Sequence, residues 1–293
     1  MPDRLADETI IPMGLDDNMG AIRAIYPIRD ALCYVHGATG CTMHGRFFFG
    51  WHDNALLRIL SSGVEGKHII FGGEELLEES LLKAVEVTDP QLIVIQNTCI
   101  PALVGDDTAQ VARRVSERTG VKILSTVNPN YKGYQLDGYH NVVNTYVTEL
   151  MQPQRIQKGC INLLGVMPGE FNWTNDVREA VWLLHELGLE VGCTLVGDQT
   201  TVREIIEAPA AQANVLLYPE VGLPAARAMQ ERFGVPFIET ALPPLGIEAS
   251  REWLLTIGTA LGLKAQAEGV IEREMAEMGQ ALNRLGAGQM VHL

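Results

Sequence analysis

Eight short apolar runs alternate with longer stretches of helical periodicity, and this alternation most narrows the folds open to the chain. The runs at residues 32–35, 68–71, 92–95 and 121–125 lie in the first half, and those at 160–165, 190–195, 214–217 and 236–238 in the second. Segments such as LIVIQ and INLLGV are apolar at nearly every position and do not alternate, which is how strands read when helices cover both faces of a sheet. Helical spacing runs over 74–87, where Leu76, Leu77, Leu81 and Leu82 share a face. It recurs over 106–118, 142–151, 175–187, 223–233 and 249–261. Strands and helices in that order build parallel sheets from βαβ units with right-handed crossovers. The expected fold is α/β: two consecutive parallel-sheet domains, Rossmann-like and doubly wound, followed by a C-terminal helix.

A polar stretch with a proline, QPQRIQK at 152–158, sets the expected boundary. It gives a first domain over 1–155, a second over 156–263 and a helical segment over 264–293. In that last segment Val270, Ile271, Met275, Met278 and Leu282 keep a helical spacing before the chain stops at GAGQMVHL.

The chain has 36 acidic and 22 basic residues, a net charge of −14. That argues against nucleic acid as the main partner and against docking on an anionic membrane. No apolar run reaches the roughly 18 residues of a membrane span. The N-terminus, MPDRLADETIIPMG, is acidic where a signal peptide needs a basic start. The expected location is cytoplasmic. The cysteines number five, so a disulfide framework is not expected and each is free to serve as core residue, nucleophile or metal ligand.

The common nucleotide and hydrolase signatures are missing. There is no GxxxxGK[ST], no GxGxxG after a strand, no HExxH and no GxSxG. The informative segment is LCYVHGATGCTMHG at 32–45, a strand running into a glycine-rich turn that carries Cys41. Gly37 and Gly40 would let the backbone turn tightly. A second strand, LIVIQ, leads at once to Cys99 in QNTCIPALVGDD. In a parallel sheet both cysteines emerge at the same edge, as a zinc ion or an iron–sulfur cluster requires. The plainer alternative is that cysteine is among the most buried residue types. It fits Cys160 and Cys193, inside apolar strands, and competes at Cys33. His36 ends the first strand, either to orient the loop and bond to a cluster or as a satisfied core histidine. His44 and His52 read as surface residues, and Asp106 and Asp107 as helix caps.

Taken in order, these motifs resemble the nitrogenase component 1 family. VHGATGC (35–41) is similar to its HGxxGC cluster loop, and the stretch from FGGEELLEES to LIVIQNTCIPALVGDD (71–107) to its FGG, TC and GDD block. NPNYKGYQLDGYHNVV (128–143) and FGVPFIETALPPLGIEASREWLLTIGTALG (233–262) resemble the segments that follow. The resemblance implies an oxidoreductase subunit, catalytic residues unassigned, that acts in complex. It would hold an iron–sulfur cluster through Cys41 and Cys99, shared at a subunit interface. Electrons would come from an ATP-hydrolysing iron–sulfur reductase, and the partner would be a homologous subunit in a homodimer or an α2β2 assembly.

Three departures qualify this. The family has a further cysteine upstream of HGxxGC, and the matching place holds Asp16, in LDDNMGA. Asp16 or Asp17 would stand in, or Cys33 would. That favours a [4Fe–4S] cluster over a P-cluster-like one. The cysteine that holds the catalytic cofactor in α-type subunits matches Tyr218 here, as in a β-type subunit or an assembly scaffold. The family's third domain would begin where this sequence ends. The alternatives are a non-catalytic scaffold for metal-cluster or cofactor assembly, and a cluster-free α/β binding protein.

Overall fold

The computed structural model describes residues 16–53 and 57–286; the readings of the N-terminal segment and of the stretch after Gly286 lie outside them. Asp17–Ile25 forms helix α1, started by Asp16, whose carboxylate accepts from the Met19 N–H at 2.9 Å. Strand β1, Ala31–His36, follows, then α2, Thr39–Asp53, and a three-residue β2, Ile59–Ser61. Next come α3 (Gly66–Phe71), α4 (Glu74–Thr88) and β3 (Leu92–Asn97). They are followed by α5 (Cys99–Val104), α6 (Thr108–Thr119) and β4 (Lys122–Val127). Helix α7, Gln135–Thr145, ends in a π-helical turn, Tyr146–Leu150.

The second half repeats the plan with β5 (Gln157–Leu164), α8 (Trp173–Glu186), β6 (Glu190–Thr194) and α9 (Val202–Glu207). It continues with β7 (Ala211–Leu216), α10 (Pro219–Phe233), β8 (Phe237–Ile238), α11 (Ile247–Ala260) and α12 (Lys264–Gly286).

Each half holds one four-stranded sheet, ordered β2-β1-β3-β4 and β6-β5-β7-β8, with every pairing parallel. Both sheets are therefore built on the same winding, and the chain reverses direction across the sheet at the β1/β3 and β5/β7 pairs. Crevices that take ligands open at such reversals, beyond the carboxyl ends of the strands.

Successive residues of a strand face opposite ways. In β1, Leu32 and Tyr34 enter one apolar cluster with Leu77, Leu81 and Val111, while Cys33 and Val35 enter another. The second cluster is the largest among the described residues. It runs from Met19 and Ile22 of α1, through Val142 of α7, to Val221 and Met229 of α10, so the two sheets share it. A third cluster, around Trp253, Leu184 and Val215, covers the far face of the second sheet. Both faces of each sheet are thus covered, the reason that the strands read as unbroken apolar runs.

The closest helix contact is α1 against α7. Gly20 lies so near the Gln135 carbonyl that a Cβ there would fall 1.7 Å from its oxygen. One on Gly138 would fall 1.8 Å from the Asp17 carbonyl oxygen.

One expected strand is not a strand. Residues 68–71 close helix α3, and the Glu65 N–H donates to His68 Nδ1 at 3.0 Å, capping its start. Ile69, Ile70 and Phe71 lie exposed, so this apolar run marks a surface. The true second strand, Ile59–Ser61, is a sheet edge of three residues, too short to carry a periodic signal. Among the described residues no helix is long and apolar enough to cross a membrane.

Candidate functional site

The carboxyl ends of β1 and β3 lie side by side, in register from Ala31↔Leu92 to His36↔Asn97. Each strand delivers one cysteine. Cys41 stands in the first turn of α2, and Cys99 opens α5. Both are free and half-buried. The Cys41 thiol is pushed up from its ordinary value, by burial first and then by the neighbouring Cys99 and the Asp16 carboxylate. A hydrogen bond with the Thr98 side chain pulls it the other way. Cys99 and Asp16 are therefore both within electrostatic reach of Cys41.

Asp16 is held where it stands. One oxygen caps α1, and the other accepts from Asn130 Nδ2 at 2.7 Å. Its neighbour Asp17 is buried, and its carboxyl is raised mainly by that burial. Cys33 lies elsewhere: it is fully buried in β1, paired with Ile59 and Val94, and its thiol is raised by burial alone. Cys193 is likewise in the core, and Cys160 is half-buried beside Gly192.

Gly37 is needed for closeness. A Cβ on it would meet Thr98 Oγ1 at 2.1 Å, whereas one on Gly40 would meet nothing within 4 Å. His36, which is wholly buried, sits behind this turn. Its Nδ1 is 2.9 Å from Ser62 Oγ, and its Nε2 is 3.0 Å from Asp106 Oδ2. Ser62 Oγ also accepts the Gly37 N–H at 3.2 Å, which leaves its own hydrogen for Nδ1. By that assignment the neutral ring carries its proton on Nε2 and donates it to Asp106. Asp106 in turn accepts the Gly73 N–H on both oxygens, at 3.0 and 3.1 Å.

Burial holds the His36 pKa below its usual 6.5 against the opposing pull of Asp106; His68 lowers it further and Glu74 raises it. An unfolded histidine takes up a proton near 6.5 while His36 in the fold does not. Its contribution to stability is therefore full above that value and is lost as the pH falls through 6.5 towards the folded value. Urea unfolding is expected to show a lower midpoint at pH 5.5 than at pH 7.5, with a smaller difference in His36→Gln.

The expected helix caps are half right. Asp107 caps α6, accepting the Gln110 N–H at 2.8 Å, but Asp106 is committed to His36 and Gly73. Ser62, Thr98 and Gly73 went unnoticed as site residues. The clue was a histidine ending a fully buried strand, which requires a partner on each nitrogen. His44 is exposed.

The second reversal, at β5/β7, carries Tyr218 just after β7. Its hydroxyl donates to Asp176 Oδ2 at 3.3 Å, and burial followed by Asp176 pushes its pKa up to about 12.

The donor set at the first edge suits iron in part. Two thiols and a carboxylate converge, but among the described residues no three His, Cys, Asp or Glu side chains are arranged to hold a metal ion alone. A [4Fe–4S] cluster takes four protein ligands.

The family model described as nitrogenase component 1 type oxidoreductase matches residues 17–289. The nitrogenase iron-molybdenum cofactor biosynthesis protein NifE of Clostridium pasteurianum is 28% identical over 87% of this chain and 56% of the relative. The nitrogenase molybdenum-iron protein alpha chain of Methanothermobacter marburgensis is 28% identical over 86% of this chain and 56% of its own length. A solved structure described as "Nitrogenase Cp1 at pH 5" superposes with a TM-score of 0.80 at 26% identity, over 92% of this chain and 56% of that one. The chain thus spans about half the length of the curated relatives it matches.

Proposed function

This chain belongs to the nitrogenase component 1 type oxidoreductase family, and from that premise we propose that it is a cluster-holding subunit of a nitrogenase-like reductase. Cys41 and Cys99 ligate an iron–sulfur cluster, [4Fe–4S] in type, at an edge shared with a homologous subunit. Asp16 is the third donor from this chain, and Cys33 is a core residue. The observation that carries the reading is the convergence of the two thiols at the β1/β3 reversal.

The surface around the site supports a shared cluster. Met43, Phe47 and Trp51 recur every four residues along α2 on the turns after Cys41, and all three are exposed. Leu103 is exposed four residues after Cys99. Monomers seldom leave so contiguous an apolar face uncovered. A second component 1 subunit would cover it and supply the remaining ligands. An ATP-hydrolysing iron–sulfur protein would then pass electrons to the cluster, and the chain's own groups would set its potential through burial and hydrogen bonding.

A second reading is an assembly scaffold on which a metal cluster is built and passed on. It is favoured by the naming of several relatives as cofactor biosynthesis proteins, and by Tyr218 at the place where α-type subunits have a cysteine. One experiment separates the two. The anaerobic complex, supplied with reductase and ATP, is assayed for repeated turnover and for cluster transfer to an apo acceptor. Repeated turnover supports the reductase; a single stoichiometric transfer without turnover supports the scaffold and overturns the reductase.

A further inference from the structure

We propose that His36 is a positioning residue that fixes the separation of the Cys41 and Cys99 thiols by tying the two cysteine-bearing segments to one rigid side chain. The inference rests on the reading of these thiols as co-ligands.

Four segments meet at His36. Its ring reaches Asp106, and the Asp106 backbone N–H bonds to the Pro101 carbonyl within α5, at 3.1 Å. A shift of Asp106 is therefore a shift of the helix that begins with Cys99. Through Ser62 the ring reaches the Gly37 N–H, at the start of the turn that carries Cys41. The His36 carbonyl accepts both the Thr98 N–H, at 3.1 Å, and the Thr98 hydroxyl, at 2.9 Å. Gly73 closes the frame by donating to Asp106. His36, Thr98 and Ser62 are buried, and the Asp106 side chain is 5% exposed, so water does not compete for these bonds.

The chemistry explains why the residue is histidine. The frame needs a flat side chain with an acceptor at one end and a donor at the other, on opposite edges of one rigid ring. Neutral imidazole supplies both. Glutamine carries both groups at its tip and can keep the Asp106 bond but not the Ser62 bond in the same geometry.

A merely structural histidine would also destabilise the fold when removed, so stability does not test the proposal. The test is the distance between the thiols. The full chain in a Cys160→Ala background is treated, reduced and metal-free, with dibromobimane, which fluoresces only when two nearby thiols each displace one bromide. Monobromobimane reports each thiol's own reactivity. The expected result is that His36→Ala lowers the bridging rate about tenfold, since small misplacements of reacting groups cost one to two orders of magnitude. Single-thiol rates and circular dichroism should stay near those of the parent, and His36→Gln should recover part of the loss. If His36→Ala does not fold, Ser62→Ala, which removes the Nδ1 partner and with it the acceptor of the Gly37 N–H, gives the same readout. An unchanged ratio of bridging to single labelling in a folded variant overturns the positioning role and leaves the co-ligand reading intact. No bridging in the parent overturns both.

Discussion

Replacing Cys41 and Cys99 together with alanine is expected to remove all iron and acid-labile sulfide from the anaerobically purified complex. The parent should carry about four of each per cluster. In the proposed ligand set the two thiols are the sulfur donors of this chain, and their loss leaves Asp16 alone, a single carboxylate that cannot hold a cluster. The fold should survive. Both cysteines are half-buried, and exchanging a thiol for a hydrogen at such positions costs on the order of 1 kcal/mol. Cys33→Ala serves as the contrast. It opens a space in the core and should lower stability more, yet leave the iron in place. Iron retained in the double variant, or absent from the parent, would sink the cluster assignment.

Gly138→Ala is expected to cost at least about 4 kcal/mol, in the range reserved for severe mechanisms. The added carbon would sit 1.8 Å from the Asp17 carbonyl oxygen, a backbone atom that cannot swing aside. Helices α1 and α7 would have to part by more than an ångström. That would loosen Met19, Ile22 and Val142, all fully buried in the cluster shared by the two sheets. A domain is stable by only about 5–15 kcal/mol, so much of the margin would go. Gly269→Ala, exposed within α12 with nothing near its added carbon, should instead stabilise by about 0.5–1 kcal/mol. Urea midpoints check both. A loss below about 1 kcal/mol for Gly138→Ala would mean that the crossing yields, contrary to ordinary overpacking.

Much of the fold was legible because both faces of each sheet are covered. The run at 92–95 in β3 is apolar at every position and stands out without periodicity. The convergence of Cys41 and Cys99 followed from strand direction alone, since parallel neighbours end at the same edge. What stayed hidden depended on partners far along the chain. Asp106 read as a helix cap because capping is local, whereas its bond to His36 spans 70 positions. Residues 68–71 misled because an exposed apolar turn and a buried strand share a composition. The need for glycine at 20 and 138 was invisible for the same reason: neither position is a turn, and only the opposite helix makes a side chain impossible.

The cluster shared by the two sheets has a consequence during synthesis. The first sheet and α7 are complete by Thr145, yet the face of α7 that meets α10, where His140 Nε2 lies 3.1 Å from the Val221 carbonyl oxygen, finds its cover only when Met229 has been made. At about 5–20 residues per second, that interval is on the order of ten seconds. For that time the nascent first half presents that face of α7 to solvent or to a chaperone. The ribosome's pace, as much as the finished packing, sets how long this chain must be guarded against its neighbours.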